Sequence, residues 1–119
     1  MNLTKKLKGP GKLYYTYMLR CSDNSIYTGI TTDVQRRFDE HAGRLPGKCA
    51  KYTGSRHAVK IEAVWASESR ETASRLEYYI KKLPKAKKEE LIAAPESFEK
   101  NLGSKLDVSA YELVNCSCI

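Results

Sequence analysis

Two short runs rich in aromatic and β-forming residues stand near the start of the chain, at residues 14–20 and 26–30. Each run predicts a strand. The residues between them, Ser22-Asp23-Asn24-Ser25, are typical of a turn, because Asp and Asn side chains bond their own backbone and tolerate the left-handed region. Two strands joined so tightly predict a β-hairpin.

The next apolar residues repeat at helical spacing. They are Val34, Phe38, Ala42 and Leu45. This spacing predicts a helix with one face toward the core. Thr32, with Gln35 three residues later, is typical of an N-terminal capping box, and Pro46-Gly47 ends the helix. A polar loop follows over residues 46–58.

The pattern then changes to alternation and returns to helical periodicity. The alternating apolar positions are Val59, Ile61, Ala63 and Trp65. Their alternation with polar residues predicts a third, half-buried strand. A second helix is predicted over residues 70–83, with its apolar stripe at Ala73, Leu76, Ile80 and Leu83. A third is predicted over residues 85–94, between Pro84 and Pro95.

The predicted order is β-β-α-β-α-α, which is that of a small α/β domain. The expected fold is a three-stranded antiparallel sheet flanked by helices, built from residues 13–94. Residues 1–12 carry lysines and glycines and are expected to form a flexible basic arm. Residues 95–119 are expected to be a C-terminal extension, partly ordered at best, because Gly103 and Ser104 interrupt its apolar residues.

Charge suggests the kind of partner. The 119 residues include 21 Lys and Arg against 14 Asp and Glu, a formal charge of +7, which favours a polyanion. No apolar run approaches the ~18 residues that span a bilayer. We read no secretory signal in the basic N-terminus, so a cytoplasmic or nucleoid-associated protein with reduced thiols is expected.

Two helical features suggest chemistry. Arg37 and His41 stand four residues apart and therefore share a face of the first predicted helix. Glu77 lies at the edge of the apolar stripe of the second, where an uncompensated charge is costly. It needs a partner, which could be a metal, another cation or the ammonium of Lys81 one turn later.

These residues together resemble the GIY-YIG nuclease superfamily, in particular its small stand-alone (YhbQ-like) branch. The resemblance covers roughly residues 13–93, and its motif residues are Tyr17, Tyr27-Thr28-Gly29, Arg37, His41 and Glu77. Tyr15-Thr16-Tyr17 stands in place of the first tripeptide, Gly-Ile-Tyr, and Ile30 stands where some members carry Lys. The polar residue that some members place after the glutamate helix has no clear match, and Asn101 is the nearest candidate.

The resemblance implies hydrolysis of a DNA phosphodiester with Mg²⁺ or Mn²⁺. Glu77 would be the metal ligand, and Arg37 would bind the scissile phosphate. Tyr27 is the first candidate for general base, and Tyr17 and His41 are the alternatives. Gly29 is the structural residue of the second tripeptide.

DNA contacts are expected from a basic cluster beside these residues. Its members are Arg36, Lys81, Lys82, Lys85, Lys87 and Lys88. Such cations bind phosphates without reading sequence. No stacking aromatic residues are evident, so recognition of branched, flapped or damaged DNA in repair or recombination is expected. The alternatives are a non-catalytic DNA-binding module, or an interaction subunit that docks a protein partner through residues 95–119.

The paired-tyrosine mechanism makes a geometric prediction about the hairpin. A plain two-residue turn at Asp23-Asn24 would place Tyr17 and Tyr27 on opposite faces of the sheet, because side chains alternate along a strand. A shared site therefore requires an odd loop, such as residues 23–25 with Ser22 facing Ile26, or a β-bulge.

Overall fold

The computed structural model describes residues 13–43 and 57–115. They form a four-stranded antiparallel sheet in the order β2-β1-β3-β4. The strands are β1 (Tyr14–Cys21), β2 (Ile26–Thr31), β3 (Ala58–Ser67) and β4 (Glu112–Val114). The predicted arm 1–12, nearly all of the predicted loop 46–58 and the C-terminal Cys-Ser-Cys lie outside the described residues.

The predicted α/β fold is confirmed, but the expected number of three strands is wrong. β4 is only three residues long and pairs with β3, Val64 opposite Val114 and Ala66 opposite Glu112. A strand this short has no alternation to detect, so its existence depends on the free edge of β3. Leu102, Leu106 and Tyr111 are also buried, which places part of residues 95–115 in the same core.

The hairpin has an odd loop, as the shared-face argument requires. Ser22, Asp23 and Asn24 form the loop, and Cys21 N–H donates to the Ser25 carbonyl at 2.9 Å. Asn24 has a φ of 71°, the left-handed conformation that ends a three-residue hairpin loop. The odd parity is therefore confirmed, but the loop lies one residue earlier than the example of residues 23–25. Tyr17 faces Gly29 across the ladder.

Within the described residues the sheet is joined by four α-helices and a 3-10 helix (Val108–Ala110). The α-helices are α1 (Val34–His41), α2 (Arg70–Lys82), α3 (Lys85–Ala93) and α4 (Ser97–Leu102). The expected Thr32 cap is wrong, because Asp33 is the N-cap and its carboxylate accepts from Arg36 N–H at 3.1 Å. Gln35 instead donates its side-chain amide to Asp39. α2 ends one residue early, since Leu83 precedes Pro84 and is extended.

The helices cover both faces of the sheet. α1 packs on one face, where Tyr17, Leu19 and Val64 are buried. The other helices cover the opposite face, where Met18 and Trp65 are buried. Because both faces are covered, the C-terminal half of β3 is buried at every position rather than alternately.

The N-terminal half of β3 contains a bulge that changes the expected alternation. Met18 pairs with Ala63, but the next residue, Leu19, pairs with Ile61, so Glu62 is the extra residue. The bulge places Ile61 on the α1 face and Ala63 on the opposite face. Val59, expected on a half-buried face, is 55% exposed.

Candidate active site

Two tyrosines share the α1 face of the sheet, one from each strand of the hairpin. Tyr17 faces Gly29 and Tyr27 faces Leu19, so the two tyrosines lie diagonally across the ladder. Their ring centroids are 6.2 Å apart. Tyr17 is 1% exposed, whereas Tyr27 is partly exposed. Solvent and ligands therefore reach Tyr27 more easily than Tyr17.

Gly29 makes this arrangement possible. A Cβ atom on Gly29 would lie 2.6 Å from Tyr17 Oη, 2.8 Å from Tyr17 Cζ and 3.2 Å from Tyr27 Cε2. The Tyr17 ring thus lies directly across the backbone of β2, in space that any other residue would fill. The glycine of the Tyr27-Thr28-Gly29 tripeptide is needed for close packing, since its φ is not in the left-handed region.

α1 places Arg37 and His41 against the same tyrosines. Tyr17 Oη lies 3.3 Å from His41 Nε2, and the ring of His41 is centred 4.6 Å from that of Tyr27. The Arg37 guanidinium lies close enough to the Tyr17 phenol to act on its pKa. His41 is fully buried. Because Arg37 and His41 stand four residues apart on α1, both side chains lie beside the Tyr17 phenol.

Burial sets the protonation of this network. Burial raises the pKa of Tyr17 to about 12, against the lowering effect of Arg37. Burial, assisted by the charge of Arg37, lowers the pKa of His41 to about 4. At neutral pH the hydrogen bond between Tyr17 Oη and His41 Nε2 therefore joins two neutral groups. With a pKa of about 12, the Tyr17 phenol keeps its proton at neutral pH.

Glu40 belongs to the cluster although sequence reasoning missed it. Its carboxylate accepts from Arg37 Nη1 at 2.6 Å and pairs with Arg36 Nε at 3.3 Å, and Glu40 is only 8% exposed. The available signal was its i+3 and i+4 spacing from two consecutive arginines. Arg36 extends outward, with 63% of its side chain exposed.

Glu77 approaches the cluster from α2. Its charge acts on the Tyr17 phenol and opposes ionisation there. Its side chain is 24% exposed, and Oε2 lies 3.0 Å from Lys81 Nζ. The ion pair that spacing allowed is thus formed. No group of three His, Cys, Asp or Glu residues suited to a metal occurs in residues 13–43 and 57–115.

This geometry can be compared with known proteins. Residues 13–90 match the family described as the GIY-YIG catalytic domain. The chain belongs to the GIY-YIG family. The family is one of nucleases, and all five residues proposed to carry catalysis lie within the match, whereas α4 and β4 lie beyond it.

The GIY-YIG chain is similar to small proteins named UPF0213. One from Fusobacterium nucleatum is 52% identical over 89 residues, covering 75% of this chain and 86% of that protein. YhbQ of Salmonella arizonae is 41% identical over 91 residues, covering 76% and 88%. These relatives confirm the resemblance to the small stand-alone branch. The solution NMR structure of a UPF0213 protein from Bacillus halodurans is 43% identical, covers 78% of this chain and 96% of that one, and gives a TM-score of 0.45.

The lysines of this GIY-YIG domain do not act as one uniform cluster. Lys81 pairs with Glu77, and Lys82 Nζ lies 5.0 Å from the centroid of the Tyr78 ring. Lys85 donates to the Asn24 carbonyl, and Lys87 pairs with Glu90. Lys88 lines a cleft beside β2. Individual lysines therefore have different electrostatic surroundings, which their clustering in the sequence conceals.

Two expectations about side chains at the edge of the site change. Asn101, the candidate for the polar residue after the glutamate helix, donates to Glu90 on α3 at 3.4 Å. It supports the packing of α3 against α4. The sequence suggested no aromatic residue able to stack on a base. Tyr78, however, is 54% exposed and is therefore available for such a contact.

Proposed function

We propose that this GIY-YIG protein is a divalent-metal-dependent DNA endonuclease, directed by the structure or damage of DNA in repair or recombination. The observation that carries the proposal is the convergence of Tyr17, Tyr27, Arg37 and His41 on one face of the hairpin. Hydrolysis of a phosphodiester requires a base near water and a cation near the phosphoryl oxygens. The cluster supplies both kinds of group.

Arg37 is the residue proposed to bind the scissile phosphate. Its side chain is 36% exposed, and Glu40 and Tyr17 hold it from the protein side. A guanidinium has five N–H donors, so further donors remain for a ligand. A fixed arginine that faces developing negative charge stabilises a transition state without reorganisation.

Tyr27 is the proposed general base, because access separates it from the two alternatives. Tyr17 and His41 are 1% and 0% exposed, whereas Tyr27 is partly exposed and contacts His41. Phenols ordinarily have a pKa of about 10, so a nearby cation must stabilise the phenolate at neutral pH. Arg37, which lies beside Tyr17, is the cation proposed to stabilise the phenolate.

Glu77 is the proposed ligand of Mg²⁺ or Mn²⁺. A single, partly exposed carboxylate suits Mg²⁺, which usually keeps several waters and takes only one or two protein carboxylates together with substrate phosphates. The bound metal would supply charge neutralisation at the phosphoryl oxygens. The ion pair between Lys81 and Glu77 must then open, or the carboxylate must bind both Lys81 and the metal. If the pair opens, the Lys81 ammonium can bind a phosphate instead.

The test is a cleavage panel with Mg²⁺ or Mn²⁺ over single-stranded, duplex, flap and four-way DNA. We expect Arg37→Ala and Glu77→Ala each to reduce cleavage by at least about 100-fold while low-salt DNA binding and folding remain nearly intact. Arg36→Ala is the matched control, since Arg36 also pairs with Glu40 but extends outward. Wild-type rates in Arg37→Ala or Glu77→Ala would overturn the proposal. Unfolding of Glu77→Ala would favour a purely structural ion pair.

A second candidate function is a non-catalytic DNA-binding module on the same fold. The closed Glu77–Lys81 pair favours it, because this pair occupies the carboxylate that a metal needs. DNA binding without cleavage of any substrate in the panel would support this alternative. Weak DNA binding together with stable co-purification of one protein would support an interaction subunit instead.

A further inference from the structure

A cleft lies beside β2, the outer strand of the sheet, where α2 and α3 pack against it. It has a volume of about 270 Å³ and is lined by Ile26, Tyr27, Thr28, Lys81 and Lys88. Its wall thus includes the proposed general base and the lysine paired with Glu77. The cleft adjoins the candidate active site at the edge of the sheet, since its lining combines Tyr27 from the α1 face with Ile26 from the opposite face.

Thr28 gives the cleft an unsatisfied hydrogen-bonding group. It is 3% exposed, and its Oγ1 has no hydrogen-bond partner among residues 13–43 and 57–115. A buried hydroxyl without a partner costs stability, so such groups in folded proteins call for an explanation. Valine has nearly the same shape and would fill this position without that cost. Thr28 lines the cleft, so a small shift of its side chain would let the buried hydroxyl bond a ligand there.

Lys88 gives the same cleft a cation without a counter-ion. Neighbouring Lys81, Lys85 and Lys87 each lie within 4.0 Å of a carboxylate. Lys88 is partly buried and pairs with no carboxylate in the described part of the chain. A half-buried ammonium beside a hydroxyl donor is suited to an anion with several acceptor oxygens.

We propose that this cleft is a subsite for one backbone phosphate of the bound DNA strand, adjacent to the phosphate at the tyrosine cluster. The proposal rests on the nuclease function proposed above. A backbone phosphate is the expected anion because Tyr27 belongs to both the cleft and the cluster. A strand positioned for cleavage there presents its neighbouring phosphates at this edge. Lys88 and Thr28 would hold the strand in register.

The test compares Thr28→Val and Lys88→Gln with wild type in metal-free buffer with EDTA, where binding is measured without cleavage. Fluorescence anisotropy with labelled DNA should show Lys88→Gln weakened about 5- to 10-fold, with the salt slope lowered by about 0.9 on duplex DNA. Thr28→Val should bind about 3- to 10-fold more weakly, since a hydrogen bond to a charged oxygen is lost, yet its urea midpoint should be unchanged or higher.

Lys100→Gln is the charge-matched control. Lys100 is 68% exposed on α4 and pairs with Glu90, so its affinity should stay within about 2-fold of wild type. A set of DNAs carrying single neutral methylphosphonates locates the phosphate. At one position the methylphosphonate should weaken wild type and leave the Thr28→Val and Lys88→Gln proteins unaffected.

The outcomes separate this subsite from the nuclease proposal. If wild type binds DNA but Thr28→Val binds equally well, or Lys88→Gln behaves like Lys100→Gln, the subsite is overturned while the nuclease proposal stands. If wild type binds no DNA of any form, the nuclease proposal and the subsite fall together. Loss of the methylphosphonate effect in both cleft variants supports the subsite even if cleavage is never observed.

Discussion

Gly29→Ala is the substitution that most directly tests the packing of the tyrosine cluster. Alanine is normally preferred to glycine inside a strand by about 0.5–1 kcal/mol, because glycine loses more backbone freedom on folding. Gly29 has no left-handed φ, so backbone conformation alone gives no reason to keep it. General propensity therefore predicts a small gain in stability.

The structure predicts the opposite sign. The added methyl group would lie 2.6 Å from Tyr17 Oη and 2.8 Å from Tyr17 Cζ, well inside van der Waals contact. The ring has little room to move, because it is 1% exposed and its hydroxyl is hydrogen-bonded to His41. Overpacking of this kind costs about 1–3 kcal/mol. After subtraction of the propensity gain, we expect a net loss of up to about 2.5 kcal/mol.

Urea unfolding of four proteins measures this effect: wild type, Gly29→Ala, Tyr17→Leu and the double variant. Leucine has no counterpart to Oη and Cζ, the two atoms closest to the new methyl group. Gly29→Ala should therefore be neutral or stabilising in the Tyr17→Leu background. The coupling energy of the cycle should exceed about 1 kcal/mol. Stabilisation by Gly29→Ala in the wild-type background, or a coupling energy near zero, would refute the packing argument.

Three further predictions concern stability and positioning. Burial keeps the pKa of His41 at about 4, below the value of about 6.5 in an unfolded chain. Between these two pH values the unfolded state binds more protons than the folded state. The free energy of unfolding should therefore fall as the pH decreases from about 6.5 toward about 4. This component should be at most about 1.4 kcal/mol per pH unit and should disappear in His41→Gln; equal slopes in both proteins would contradict it. Arg20→Lys should lower the free energy of unfolding by about 1–3 kcal/mol. The Arg20 guanidinium binds Glu89 at 2.6 Å and Glu62 at 3.0 Å, and the ammonium of lysine lacks its forked set of donors. An unchanged urea midpoint would contradict this prediction. Glu40→Gln should slow single-turnover cleavage about 10-fold with DNA affinity nearly unchanged, because Arg37 loses its charged anchor, and a wild-type rate would remove Glu40 from the positioning network.

Local signals in the sequence were sufficient for most elements and for the grouping of candidate residues. The i, i+4 spacing of Arg37 and His41 predicted a shared helical face, and both residues contact Tyr17. The requirement that both tyrosines share a face predicted an odd hairpin loop, which Ser22–Asn24 forms. These predictions succeed because helical periodicity and strand parity depend on residues close together in the chain.

Tertiary structure alone decided the features that depend on distant segments. The bulge at Glu62 and the short strand β4 arise from pairing between strands, and neither is visible in local alternation. The burial of Glu40, which anchors Arg37, depends on how α1 packs on the sheet. Lys88 differs from the neighbouring lysines because α3 brings it beside β2, where it lines the cleft. Spacing along the chain records which residues share a face, but packing between elements determines which of them lose water and which partners they meet there.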